Sequence, residues 1–146
     1  MQKIITFLWF NDQAEEATNF YVSLFKNSKV IAMNRMGNGG PVFSTSFELE
    51  GQTFYALNGG PKYKFTPAIS MFVNCYSQEE VDTLWDKLCE GGQESMCGWL
   101  TDKFGLSWQI IPTRLGELLY DKDPAVSQKA MQAMLKMRKI ILKDLE

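Results

Sequence analysis

The sequence predicts an α+β protein made of two tandem β-α-β-β-β modules followed by a C-terminal helix. Three internal matches carry this reading. First, "AEEATNFYVSLF" (14–25) lies on "QEEVDTLWDKLC" (78–89), so that Ala17, Phe20, Tyr21 and Leu24 match Val81, Leu84, Trp85 and Leu88. Both sets have the i, i+3, i+4, i+7 spacing of an amphipathic helix. Second, the same offset of 64 places "ITFLWF" (5–10) on "ISMFVN" (69–74), and both alternate like strands. Third, an offset of 54 places "GQTFYALN" (51–58) on "GLSWQIIP" (105–112), pairing Phe54 with Trp108, Ala56 with Ile110 and Tyr55 with Gln109. A repeat of this kind is a duplicated supersecondary unit.

The elements follow in order, within a single domain spanning 1–146. Module one is 1–60. In its first strand Ile5, Phe7 and Trp9 are expected under the helix, with Thr6, Leu8 and Phe10 on the opposite face. Asn11 or Asp12 is placed to cap the helix. Strands follow near 28–36 and 41–50, then the strand that carries Tyr55. The stretch "GGPKYKFTP" (59–67) reads as a linker. Module two is 66–112. Ile69, Met71 and Val73 are expected under its helix, with Ser70, Phe72 and Asn74 opposite. Ser77 and Glu80 form a capping box, and Gly91-Gly92 ends the helix. Short strands fit near 93–97 and 99–102, and the last strand turns Trp108 to the core. In the extension, 113–146, "TRLGELLYDKDP" suggests a short helical turn and a loop. Asp123 then caps, and Pro124 takes the first helical position. One long helix is expected from there to the end. Its stripe is Ala130, Met134, Met137 and Ile141, widened by Met131 and Ile140, and it would cover the sheet or a partner subunit.

The 146 residues are 45% apolar and 13% aromatic with net charge −2, a globular composition without the basic face that nucleic acid requires. The N-terminal apolar run is too short to span a membrane and has no cleavage site, so a cytoplasmic protein is expected. Cys75, Cys89 and Cys97 have no metal spacing and read as free thiols. There is no histidine. That removes every His-dependent catalytic triad and every histidine metal site.

The strings "FLWFNDQAEEATNFYVSLF", "FYALNGGPKYKFTPAIS", "QEEVDTLWDKL" and "CGWLTDKFGLSWQIIP" resemble the vicinal oxygen chelate superfamily. This group includes glyoxalase I, bleomycin-resistance proteins and extradiol dioxygenases. Within it they resemble the PhnB-like, 3-demethylubiquinone-9 3-methyltransferase-like branch, over about residues 1–140. The resemblance implies curved sheets closing into a cleft, and a homodimer. It also implies that metal-using members take one ligand from the first and last strand of each module, which maps onto Thr6, Tyr55, Ser70 and Gln109. Those residues offer two hydroxyls, a phenol with a reference pKa of about 10 and a neutral amide. Divalent cations want carboxylate or imidazole, so neither a metal nor another cofactor is expected. "GNGG" (37–40) precedes a strand-like segment and reads as a strand-to-strand turn. The glycine turn of a methyl-donor site leads into a helix instead.

The expected function is binding of a small molecule in a metal-free cleft lined by Thr6, Tyr55, Asn58, Ser70, Trp99 and Gln109. Asn58 either contacts the ligand or holds the Gly59-Gly60 turn. Lys62 and Lys64 are either an anion site or solvated surface. A second reading is a metal-independent lyase, isomerase or transferase with Tyr55 or Cys97 as the reacting group, although no basic neighbour would activate Cys97. Glu94 and Asp102 read as solvated carboxylates. A third reading is a dimeric scaffold without a ligand.

Overall fold

The computed structural model describes residues 1–146. The chain divides into two compact units, Met1–Lys64 and Phe65–Glu146.

The first unit runs β1 (Thr6–Phe10), α1 (Ala14–Leu24), β2 (Lys29–Arg35), β3 (Val42–Leu49) and β4 (Gln52–Asn58). Its sheet has the order β1-β4-β3-β2. The β1–β4 pair is parallel, and the β2–β3 and β3–β4 pairs are antiparallel. Parallel neighbours need a crossover, and α1 lies on that path. The helix buries Ala14, Ala17, Thr18 and Tyr21. Its partners across the core include Leu8, Phe10, Phe47, Phe54 and Ala56, all buried. Phe47 stacks on Phe54 with centroids 5.5 Å apart, and Tyr21 lies 6.4 Å from Phe47. One polar pair sits inside this core: the hydroxyls of Thr18 and Thr45 are 2.7 Å apart and buried.

The start of α1 is held from a distance. Neither Asn11 nor Asp12 caps it; the N-cap position is Gln13, which makes no side-chain cap bond. Instead Ala14 N–H donates to Asn58 Oδ1 at 2.8 Å, and Asn58 Nδ2 donates to the Val42 carbonyl at 3.1 Å. The last strand of the module thus satisfies a helix-terminal donor that the local sequence leaves open.

The second unit repeats the plan with β5 (Ser70–Cys75), α2 (Gln78–Cys89), β6 (Gln93–Glu94), β7 (Trp99–Thr101) and β8 (Ser107–Pro112). Sheet order is β5-β8-β7-β6, with β5 and β8 parallel. Val81, Leu84, Trp85 and Leu88 of α2 are buried. So are Leu100, Leu106, Trp108 and Ile110. Ser77 Oγ accepts from Glu80 N–H at 3.1 Å, and Glu80 Oε1 accepts from Tyr76 N–H at 3.0 Å. This is a capping box whose return bond lands one residue earlier than usual.

The extension does not form the expected single long helix. It folds as α3 (Thr113–Leu119), α4 (Pro124–Leu135) and a 3-10 turn (Leu142–Asp144). Asp123 caps α4 through Ala125 N–H at 2.9 Å. After Leu135 the backbone carbonyls find tertiary donors: Cys97 N–H reaches the Met137 carbonyl at 2.7 Å and Gly98 N–H the Arg138 carbonyl at 2.8 Å. Those bonds outweigh the helical propensity of "KMRKIIL". The break also changes the buried set. Ile140, not Ile141, becomes fully buried, in a cluster with Ile111, Leu115, Leu118, Ala130 and Leu145. Met131 is left exposed.

The Thr18–Thr45 pair yields a test. Thr18→Val leaves the Thr45 hydroxyl buried and unpaired and is expected to cost about 1–3 kcal/mol in denaturant unfolding. Combined with Thr45→Val, most of that cost should be recovered. A double variant no more stable than the single would show that the hydroxyl pair does not matter.

Candidate functional site

Strand register decides which side chains share the sheet face turned away from the helix, here called the open face. Paired neighbours lie side by side and alternate residues point the same way. In the first unit Phe7 pairs with Tyr55, and Thr6 with Phe54. Phe54 faces α1, so Thr6, Leu8 and Phe10 do as well. Leu8 and Phe10 are 4% and 3% exposed, whereas Phe7 is 56% exposed. The expected faces of β1 are therefore inverted. Thr6 does not share a face with Tyr55; Phe7 does, with ring centroids 5.7 Å apart, edge to face.

The cause is one residue. Asn11, Asp12 and Gln13 separate β1 from α1, but only Tyr76 and Ser77 separate β5 from α2. Aligning the helices at an offset of 64 therefore misaligns the strands, which correspond at 65. With β4 and β8 related by 54, Phe7 beside Tyr55 is the counterpart of Phe72 beside Gln109. A one-residue slip exchanges the two faces of a strand. The counterpart of Ser70 is Ile5.

Module two keeps the expected faces within β5, but Ile69, expected under the helix, lies just before the strand and is exposed. Phe72 pairs with Gln109 across β5–β8, and Trp99 pairs with Gln109 across β7–β8. Gln109 Nε2 donates to Ser70 Oγ at 3.0 Å. Ser70, Phe72, Trp99 and Gln109 thus form one group on the open face, with Gln109 between Phe72 and Trp99 in the strand register. Tyr55 belongs to the other sheet, with Phe7. Asn58 has both polar atoms engaged in holding α1 to β3, which is neither of the roles expected for it.

Trp9 lies on the open face of β1. Its indole N–H donates to the Gly60 carbonyl at 3.0 Å, and its ring meets Tyr63 at 4.9 Å. A side chain at Gly59 would collide with that indole. Lys62 stands 5.3 Å over the Tyr63 ring. The linker start is therefore packed onto β1.

Asp102 corrects another expectation. It is buried and not solvated. Its Oδ1 accepts from Phe104 N–H at 2.9 Å and Leu106 N–H at 3.0 Å, and its Oδ2 accepts from Trp108 Nε1 at 2.9 Å. The carboxylate ties the 102–105 turn to the strand that carries Gln109. The turn needs Gly105 at φ +92°, a conformation open to glycine. Glu94 accepts from Trp85 Nε1 at 2.7 Å and lies 3.6 Å from Arg138.

Cys97 sits in the 95–98 loop with φ +60°. Burial, reinforced by nearby carboxylates, pushes the thiols of Cys75 and Cys89 up to about 12 and about 11. Those two remain protonated at neutral pH.

The donor set does not fit a divalent cation. Once Thr6 is on the helix side, the mapped ligand positions offer only the Tyr55 phenol on the first open face and only the Ser70 hydroxyl and the Gln109 amide on the second, with no carboxylate or imidazole among these residues to offset dehydration of the ion. Nor does the "GNGG" run fit a methyl donor. It links β2 to the antiparallel β3, so no helix N-terminus follows it. An open groove of about 530 Å³ lies elsewhere, between the first turn of α2 and the tail. Three of its polar side chains bind one another: Gln78 to Asp82 at 2.9 Å, and Asp82 to Lys139 at 2.9 Å.

Two βαβββ modules with parallel outer pairing define the glyoxalase/bleomycin-resistance fold. Solved structures with that fold include FosX, the fosfomycin resistance protein of Listeria monocytogenes, complexed with Mn(II) and sulfate. It is 16% identical with a TM-score of 0.54, over 74% of this chain and 90% of that one. A Pseudomonas aeruginosa protein is 22% identical, TM-score 0.65, over 77% and 98%. The PhnB protein of Bacillus cereus is 39% identical, TM-score 0.71, over 76% of this chain and 99% of that one. Residues 2–111 match the family described as 3-demethylubiquinone-9 3-methyltransferase, and the chain belongs to that family. A comparison with curated proteins found no match. No helix is long and apolar enough to cross a membrane.

Two outcomes are expected. Asp102→Asn turns an amide N–H₂ toward a donor it cannot satisfy, and should lower unfolding stability by about 1–3 kcal/mol. An unchanged denaturation midpoint would count against the anchoring role. At pH 8 in the native protein, Ellman's reagent should titrate Cys97 well before Cys75 and Cys89. Cys97→Ser should then abolish the fast phase.

Proposed function

We propose that this chain binds a small, uncharged, planar molecule on the open face of the second sheet, and does so without a metal. The observation that carries the reading is the Ser70–Gln109 hydrogen bond framed by Phe72 and Trp99. With Nε2 engaged by Ser70, Gln109 has Oε1 left to serve as an acceptor, and the Ser70 hydroxyl keeps a proton to donate. One acceptor, one donor and two aromatic rings suit a planar group such as an aromatic carboxamide or a phenol. None of these four side chains is charged, which favours neutral ligands over anions. The family's name points to methyl transfer, but the residues supply no donor site for it. The Mn(II) in FosX belongs to that protein, and the donor set here would not hold such an ion.

Benzamide is the matching probe, with cyclohexanecarboxamide as the non-aromatic control. Benzamide should raise the melting temperature in a dose-dependent way, and more than the control. Gln109→Ala and Trp99→Ala should each weaken that effect, the first by about tenfold in apparent affinity for the lost hydrogen bond and the second through the lost aromatic contact. A benzamide shift equal in Gln109→Ala and in the parent would sink the assignment.

A further inference from the structure

The extension beyond residue 111 lies outside the family match, and the Bacillus cereus structure is covered almost completely by three quarters of this chain. Residues 113–146 therefore lie beyond the family match, and their attachment converges on the candidate site. The open face of β8 carries Ser107, Gln109 and Ile111 in sequence. Ile111 is covered by the extension's cluster, including Ile140 and Leu145, so the extension ends the open face two residues beyond Gln109.

The irregular segment 137–142 makes the closest attachment. Its Met137 and Arg138 carbonyls take the N–H groups of Cys97 and Gly98, at 2.7 and 2.8 Å. These consecutive residues have φ +60° and +84°. A side chain at Gly98 would meet Ile111 Cδ1 at 2.7 Å and Ile140 Cγ1 at 3.2 Å. In the next peptide, the one that leads into Trp99, the Gly98 carbonyl accepts from Ile110 N–H at 2.8 Å, next to Gln109. Trp99 follows Gly98 directly. The other end of the segment is clamped by one side chain: Gln78 Nε2 donates to the Ile140 carbonyl at 2.9 Å, and Gln78 Oε1 accepts from Leu142 N–H at 2.7 Å. Lys139 adds a pair with Asp82 at 2.9 Å, and Arg138 one with Glu94 at 3.6 Å.

We infer that the 137–142 strap is the positioning element of the second-sheet site. It sets the orientation of Trp99 beside Gln109 and closes the Ile111 end, so it bounds the length of ligand that fits. Gln78 is the positioning residue that holds it. The inference rests on the binding reading above for its functional meaning, but the mechanical coupling from Gln78 to Trp99 stands without a ligand.

The test uses the full chain with ¹⁵N-labelled tryptophan. Trp99 is assigned by Trp99→Phe, and Trp9 and Trp108 are internal references. In Gln78→Ala the Trp99 indole signal should move or broaden while those of Trp9 and Trp108 stay in place. The Cys97 thiol should react about tenfold faster with Ellman's reagent. Gln78→Glu, which sets a carboxylate against Asp82 and the Ile140 carbonyl in place of the amide donor, should give a change of the same kind. An unmoved Trp99 signal with an unchanged Cys97 rate overturns the inference. So does an equal disturbance of Trp9, Trp99 and Trp108; the fourth indole, Trp85, bonds Glu94 beside Arg138 of the strap and is not used as a reference. If benzamide stabilises the parent chain, Gln78→Ala should reduce that shift as Trp99→Ala does. Failure of benzamide to bind the parent counts against the proposed ligand class alone, because the tryptophan and thiol readouts need no ligand.

Discussion

The site depends on the parallel pairing of the first and last strand in each module. That pairing brings residues about fifty or forty positions apart side by side, and its register sets what each open face presents. In the second unit it places Phe72 against Gln109, which lets the amide reach Ser70. In the first it places Phe7 against Tyr55 and leaves two aromatic rings without a polar partner of that kind. A parallel pair forms only if the crossover helix packs back on the sheet, so the helix cores and the open faces are set together.

Several polar groups serve that pairing and not a ligand. Asn58 joins α1 to β3, and Asp102 gathers two backbone donors and one indole donor at the turn before β8. The buried hydroxyls of Thr18 and Thr45 satisfy each other. Each would be costly if left unpaired, which is why each has a partner. What remains on the second open face is a neutral amide–hydroxyl pair with aromatic borders. The extension adds a boundary to that face. Burying Leu115, Leu118, Ile140 and Leu145 contributes roughly 2 kcal/mol each, offsetting the ordering of an irregular strap.

The sequence reading succeeded where a local pattern is enough. Both helices, the eight strands, the Ser77–Glu80 box and the Asp123–Pro124 start follow from periodicity and capping chemistry that neighbouring residues carry. The same holds for Trp108 in the core and for Ser70, Trp99 and Gln109 on one face. It failed where the deciding contact comes from far along the chain. Nothing near residue 14 announces that Asn58 will cap α1, and nothing near residue 102 shows that its carboxylate will be enclosed. Phe7 and Phe72 were visible as a matched pair at an offset of 65, but the stronger helix match at 64 hid it.

Composition and periodicity by themselves determined that this is a duplicated α+β chain without histidine chemistry, and they located the strands that carry the uncharged Ser70–Gln109 pair. Tertiary structure alone decided the facing of β1 and the end of α4. A loop longer by one residue reverses a strand whose side chains repeat every two. A helix stops where backbone carbonyls find better donors in another loop. Both outcomes are set by pairing between distant segments, which local propensity does not encode.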